Sequence, residues 1–199
     1  MTALAESITR RANVQSSLMV DAVLVILGSL LMTLLAQLSI KLPFTPVPIT
    51  GQTLGVLIIG GSFGVARGAA SMALYLLFIL ADLPFGAGWE GGAHLLSLSS
   101  ATGGYLFGFV IAAAMIGRLA ERGWDRNPAT AVAAFVLGEI IIFGLGVAWL
   151  AQAFGMSASQ ALDAGFYPFV LGDILKVLLA AAALPAAWRL VNRGGPSTE

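Results

Sequence analysis

The chain has 199 residues, 58% of them hydrophobic and only 10% charged, with a mean hydropathy of +0.92; an average soluble domain is about 25% charged. So few charges cannot cover a water-soluble protein of this size, whereas a bilayer accepts an apolar exterior that water penalises at roughly 25 cal/mol per Å². Net charge is zero, which gives no sign of a nucleic-acid partner, and the absence of cysteine excludes disulfides, thiolate metal sites and cysteine nucleophiles.

Residues 1–17 read as a polar cytoplasmic segment. The first apolar stretch, 18–40, is long enough for the ~20 residues that a spanning helix needs. It has no Ala-x-Ala-like exit, so it reads as a retained span and not a cleaved signal. Pro43, Pro46 and Pro48 then forbid a continuing helix and set an extended or re-entrant segment. Residues 49–81 are apolar for too long to be one span. The run Gly60-Gly61-Ser62-Phe63-Gly64, with Arg67 just after it, divides them into two shorter helices. A Gly-rich loop over 82–100 carries Phe85, Trp89, Glu90 and His94. The fourth span is expected over 102–120. Asn127-Pro128 is a good helix start, an N-cap followed by proline at the first helical position, and opens the fifth span to about residue 153. The sixth is expected over 167–190, and 191–199 form a cytoplasmic tail, disordered over 194–199.

The cations fit this count. With a cytoplasmic N-terminus, the inside segments hold Arg10, Arg11, Arg67, Arg118, Arg122, Arg126, Arg189 and Arg193, while the outside segments hold only Lys41. Such positive-inside asymmetry requires an even number of spans. The fold class expected is therefore all-α: a polytopic integral membrane protein, a bundle of six transmembrane helices over 18–190 with both termini cytoplasmic.

Glu139, Asp173 and Lys176 are the ionisable residues well inside these spans. Each costs about 2.5–3.5 kcal/mol at a helix centre on insertion scales, so each should face a protein interior. Asp173 and Lys176 are three apart and share one helix face. They are either a self-neutralising pair that packs the sixth helix or the polar end of a ligand cavity near the outer leaflet. Glu139 either supports Lys176 from the fifth helix or is a packing acid. The Gly86-to-Gly92 stretch lacks a Gly-Lys-Ser/Thr and does not follow a strand, which disfavours a nucleotide loop. It reads as a pliant lid bearing Trp89 and Phe85, or as an ordinary outer connection. Ser29 and Thr33 make a small-xxx-small pair on the first span, a surface that permits close helix approach.

Three blocks converge: Pro46-Val47-Pro48-Ile49-Thr50-Gly51-Gln52-Thr53 after the first span, Thr102-Gly103-Gly104-Tyr105-Leu106-Phe107-Gly108 opening the fourth, and Pro168-Phe169-Val170-Leu171-Gly172-Asp173-Ile174-Leu175-Lys176 opening the sixth. In this order on a six-span chain they resemble the BioY family of biotin transport proteins, over roughly residues 20–190. The resemblance implies a substrate-capture (S) component of an energy-coupling-factor (ECF) transporter in the cell inner membrane. It implies biotin in an outward-facing cavity, a transmembrane coupling (T) subunit and ABC-type ATPase subunits as partners, with a homo-oligomer when the chain acts alone. The family's Gly-Asp-x-x-Lys maps onto Asp173 and Lys176 as biotin-binding residues. Trp89, Glu90, Tyr105 and Gln52 are the further substrate-binding candidates. Asp173 can accept from ureido N–H groups and Lys176 can donate to a carbonyl or carboxylate; which end of biotin they meet is left open.

No metal or cofactor is expected, biotin being the transported ligand. The chain departs from the family pattern at Asp82 before Leu83-Pro84 and at Ala101 before Thr102. It also has no Asn between Gly86 and Gly104, leaving Trp89, Glu90 or His94 to stand in for a loop amide. Where S components show Ala-x-x-x-Ala on the first helix for docking, only Ser29 and Thr33 keep that spacing. The rival readings are an S component for another vitamin, a solitary secondary transporter, for which no inverted repeat is visible, and an intramembrane enzyme. The last is disfavoured because the sole histidine, His94, lies in a loop and no serine lies within helical reach of Lys176.

Overall fold

Two prolines at 46 and 48 keep the chain from continuing as helix between its first two long helices, and the computed structural model shows what that stretch becomes. It describes residues 3–11 and 18–193. The expectations for 12–17 and for the tail 194–199 fall outside the described residues. A short helix α1 (Leu4–Arg11) precedes α2 (Leu18–Gln37). The first span ends at Gln37, short of residue 40, because Ser39–Ile40 leaves the helix as strand β1 and pairs antiparallel with β2 (Ile49–Thr50), Ser39 opposite Thr50.

Then come α3 (Gln52–Leu80), α4 (Gly103–Glu121), α5 (Pro128–Phe154), a short α6 (Ala158–Gly165) and α7 (Val170–Arg193), with 3-10 turns at Ala87–Trp89, Ala93–Leu96 and Trp124–Arg126. Asn127 caps α5 as expected, accepting from the Ala129 N–H at 2.9 Å. Helix α6 was not expected; Ser157 and Gln160 form a capping box at its start.

Five helices, α2, α3, α4, α5 and α7, are long and apolar enough to cross a membrane. Helix α3 is not straight. Gly64 takes φ 80° and ψ −175°, a conformation outside the helical region and open essentially to glycine alone. The chain reverses there: a Cβ on Gly68 would lie 3.2 Å from the Gly60 Cα, although eight residues of straight helix span about 12 Å. The break expected in the glycine run is thus present, and both arms pack on α4. Gly117 of α4 sits against the turn, and the Glu121 carboxylate accepts the Val65 N–H at 2.9 Å. Ala3, Leu4 and Ala5 are buried, and an added Cβ on Gly64 would come within 3.2 Å of Ala3 Cβ.

The core runs through the middle of the bundle, with Met32, Leu57, Met72, Ile116, Phe135 and Ile142 closed off. Leu18, Leu27, Leu34, Ile140, Leu171 and Leu175 point outward, an apolar exterior suited to lipid. Ser29 and Thr33 do not belong to it. Ser29 is 0% and Thr33 6% exposed, turned into the chain's own interior, and Thr33 Oγ1 donates to the Ser29 carbonyl at 3.0 Å. A docking face at that pair is corrected accordingly.

Candidate ligand-binding site

Because α3 doubles back, its first turn and its last turns lie side by side at one end of the bundle, opposite Gly64. There they join the β1–β2 connection, the start of α4, the middle of α5 and the start of α7 around a cavity of about 370 Å³, within the range of small-molecule pockets. The apolar wall includes Val47, Leu95, Leu106, Phe109, Phe143 and Phe169. Phe143 lies edge-on to Tyr105 at 6.1 Å and tilted against Phe169 at 6.0 Å, an aromatic corner suited to a saturated ring.

At the inner end the Lys176 ammonium donates to Asp173 Oδ1 at 2.7 Å and to Thr53 Oγ1 at 2.9 Å. The Thr53 hydroxyl in turn donates to Asp173 Oδ1 at 2.7 Å. The side chains of Asp173 and Lys176 are 7% and 14% exposed. This is a clamped ion pair in which Thr53 from α3 ties down both charged groups of α7. Asp173 Oδ2 and both Glu139 carboxylate oxygens are buried without a hydrogen-bond partner among the described residues. Glu139 and Asp173 also line a second, apolar groove of about 340 Å³ between α5 and α7, so Glu139 stands behind Asp173.

Hydrogen bonds among helices and loops hold the walls and the rim. Thr50 Oγ1 donates to Gln52 Oε1 at 2.9 Å, and Gln52 Nε2 to Tyr75 Oη at 2.9 Å. Tyr105 Oη donates to the Gly165 carbonyl at 2.7 Å and Thr45 Oγ1 to the Ala164 carbonyl at 2.5 Å, so α6 closes one side. Gln37 holds the glycine-rich loop, donating to the Gly86 carbonyl and accepting the Trp89 N–H, each at 3.0 Å. Across the mouth Lys41 meets Glu90 at 3.4 Å, both well exposed.

Of the residues singled out in the sequence, Asp173, Lys176, Glu90, Tyr105 and Gln52 all line this one cavity. Trp89 does not. With φ +62° its backbone turns left-handed, and its side chain is 63% exposed, away from the cavity. His94 is exposed as well and is not among the lining residues. The sequence reading missed Thr53, Tyr75 and Lys41. Thr53 ends the block containing Gln52, and its position one residue on was the available signal. Nothing local marks Tyr75, which reaches the site only through the reversal of α3.

The chain matches the family described as the BioY family over residues 7–193. It is 34% identical over 149 residues to a protein of Rhizobium etli described as a biotin transporter BioY, covering 71% of this chain and 78% of that one. A protein of Thermotoga maritima with the same description is 37% identical over 142 residues, covering 71% of this chain and 81% of its own. Among solved structures, the chain is similar to a crystal structure of the S-component for biotin from an ECF-type ABC transporter. The TM-score is 0.75 at 24% identity, over 88% of this chain and 92% of that one, a likeness of fold.

Proposed function

The chain belongs to the BioY family, and from that premise we propose that it is the biotin-capturing S component of an ECF transporter. In this reading it binds biotin from outside with high affinity and passes it inward with a T subunit and ATPase subunits. It is a transport protein and not an enzyme. One observation carries the choice of ligand: a cavity with an aromatic and aliphatic wall and a buried, Thr53-clamped Asp173–Lys176 pair at one end. Biotin has that same division, an apolar thiophane and valeryl body between two polar ends. Asp173, Lys176, Tyr105, Gln52 and Glu90 are its proposed binding residues. Trp89, outside the cavity, is proposed to act only by shaping the loop through its N–H bond to Gln37.

The two arms of α3 count as separate crossings in this proposal, which gives six spans over 18–190 in the inner membrane. Arg67, Arg118, Arg122, Arg126 and Arg189 then fall at the end bearing the Gly64 turn and Lys41 at the other, as the positive-inside rule asks of cytoplasmic termini. With no nucleotide-binding motif in the sequence, ATP hydrolysis belongs to the partners; the isolated chain is proposed to self-associate in the bilayer.

Calorimetric titration of the purified chain with biotin tests the reading, with Asp173→Asn and Lys176→Ala alongside. Tight binding weakened by either change is expected. A parent that unfolds cooperatively on heating yet takes up no biotin sinks the ligand assignment and sends the search to other vitamins.

A further inference from the structure

Between α5 and α7 lies the apolar groove of about 340 Å³, separate from the ligand cavity. Val132, Val136 and Ile140 of α5 wall it on one side, and Val170, Ile174 and Leu178 of α7 on the other. Ile140, Ile174 and Leu178 are 61%, 52% and 54% exposed, so the groove opens on the outward apolar face of the bundle and continues its lipid-facing surface. Its α5 wall runs from Val132 to Phe143, about 17 Å along the helix axis. Glu139 and Asp173 line it too, but their unpartnered carboxyl oxygens are themselves closed off and give an occupant nothing to bond.

Shape and surroundings select the occupant. Walls with no available charge or hydrogen-bonding group exclude a polar solute. A helix, about 10–12 Å across with its side chains, needs several times this volume over the same length, which excludes a second copy of the chain or a partner helix seated inside. An alkyl chain is apolar and thin, and in a bilayer it lies along the helix axes. Left empty, the groove forfeits dispersion contacts, the kind of interaction that drives apolar packing where no water is displaced.

Phe143 and Asp173 belong to the lining of both the groove and the ligand cavity, and so form the partition between them. A chain in the groove backs the ring that walls the cavity. It also keeps water from behind the Asp173–Lys176 pair, whose attraction is stronger in a drier surrounding.

We propose that the α5–α7 groove seats one acyl chain of a membrane phospholipid, and that this seat tightens ligand binding in the adjoining cavity. The second half rests on the biotin reading above. By linkage, the bound ligand holds the lipid by the same factor.

The full chain, purified in a rigid steroid-based detergent whose tails cannot enter the groove, is titrated with biotin before and after addition of dioleoylphosphatidylcholine. In the parent the lipid should tighten biotin binding by about fivefold or more, the lower end of ordinary coupling between sites. Ile140→Trp, which fills the groove from α5, should remove that response while binding biotin without lipid at least as tightly as the parent, a result that misfolding cannot mimic. Leu178→Trp fills it from α7 and should do the same. A phosphatidylcholine carrying a diazirine in its acyl chain gives a readout that needs no biotin: labelling should concentrate on residues 132–143 and 170–178 and fall in both variants. Even labelling around the exterior, or variants that keep the parent's lipid response, overturns the seat. A labelled groove with no effect of lipid on biotin binding overturns the coupling. A parent that binds no biotin in either condition sinks the biotin reading, and the labelling then decides the seat by itself.

Discussion

Gln52 and Tyr75 lie 23 positions apart yet are joined by a 2.9 Å hydrogen bond from Gln52 Nε2 to Tyr75 Oη. A straight helix would hold them about 35 Å apart. The bond closes the open end of the α3 hairpin. It is continued by Thr50, whose hydroxyl donates to Gln52 Oε1. Tyr75→Phe keeps the ring and leaves the Gln52 amide without its acceptor. Burying that orphaned donor should cost about 1–3 kcal/mol, seen as a lower Tm in detergent; an unchanged Tm would mean that the hairpin is closed by apolar packing alone.

The other end of the hairpin depends on backbone conformation. Gly64→Ala places a Cβ in a φ/ψ region closed to L side chains and 2.7 Å from Glu121 Oε1. Strain of this kind costs of order 1–3 kcal/mol, and the displaced Glu121 would also lose the Val65 N–H. Gly144→Ala, on open space inside α5, is the control and should leave the stability unchanged or raise it by up to about 1 kcal/mol.

Thr53 offers the sharpest test of the inner clamp. Thr53→Val is nearly isosteric but removes one hydrogen bond to each charged partner. Loss of charge-assisted bonds of this type costs about 1.5–3 kcal/mol, so biotin affinity should fall roughly ten- to hundredfold. Thr53→Ser retains the hydroxyl and should keep most of the binding. Full binding by Thr53→Val would show that the hydroxyl clamp is not needed, and a loss in Thr53→Ser as large as in Thr53→Val would tie the effect to packing at this position and not to the hydroxyl.

A fourth expectation concerns pH at the opposite end of the molecule. Asp125, in the turn between α4 and α5, is 2% exposed and accepts from Trp188 Nε1, while Arg126 stacks over the Trp188 ring at 4.3 Å. Burial raises the Asp125 carboxyl above its ordinary value, against the hydrogen bond from Trp188 and the charge of Arg126. The native state therefore holds a proton that the unfolded chain has already released. Its contribution to stability is greatest below the ordinary value of about 4 and is lost as pH rises toward the raised native value. Asp125→Asn should flatten that decline when thermal unfolding is compared at acid and neutral pH; an identical slope in both proteins would show that the buried carboxyl does not control it.

The long apolar runs were legible because hydrocarbon thickness fixes helix length, and the α3 break because four residues of a five-residue run are glycine or serine. Asn127-Pro128 and the Asp173/Lys176 face were legible because both signals are local. Helix α6 was overlooked although Ser157 and Gln160 spell its cap, since a short polar helix lacks the hydropathy that dominates a reading of this composition. Trp89 was misplaced for a different reason. An aromatic residue in a pliant loop suggests a cover, but its direction is set by Gln37, which is 52 positions away. The Ser29–Thr33 pair has the spacing of a contact surface, and only the packing of α2 on α3 shows that its contact is internal. Lys41 looked like a solitary exterior charge until β1 and β2 brought it to the mouth beside Glu90.

The reversal at Gly64 also bears on the surrounding lipid. The arms on either side of it, residues 52–63 and 65–80, are about 18 and 24 Å long, both short of a hydrocarbon layer about 30 Å deep. Only the second arm turns apolar side chains outward, through Leu77 and Leu80, and where it does the protein presents a thinner hydrophobic belt than along α5. Adjoining acyl chains must shorten or tilt to meet it, at a fraction of a kcal/mol per Å of mismatch. In the six-span arrangement proposed above, the bilayer would be pinched on that side of the molecule, which would give it a preferred rotational setting towards any neighbour that relieves the same deformation.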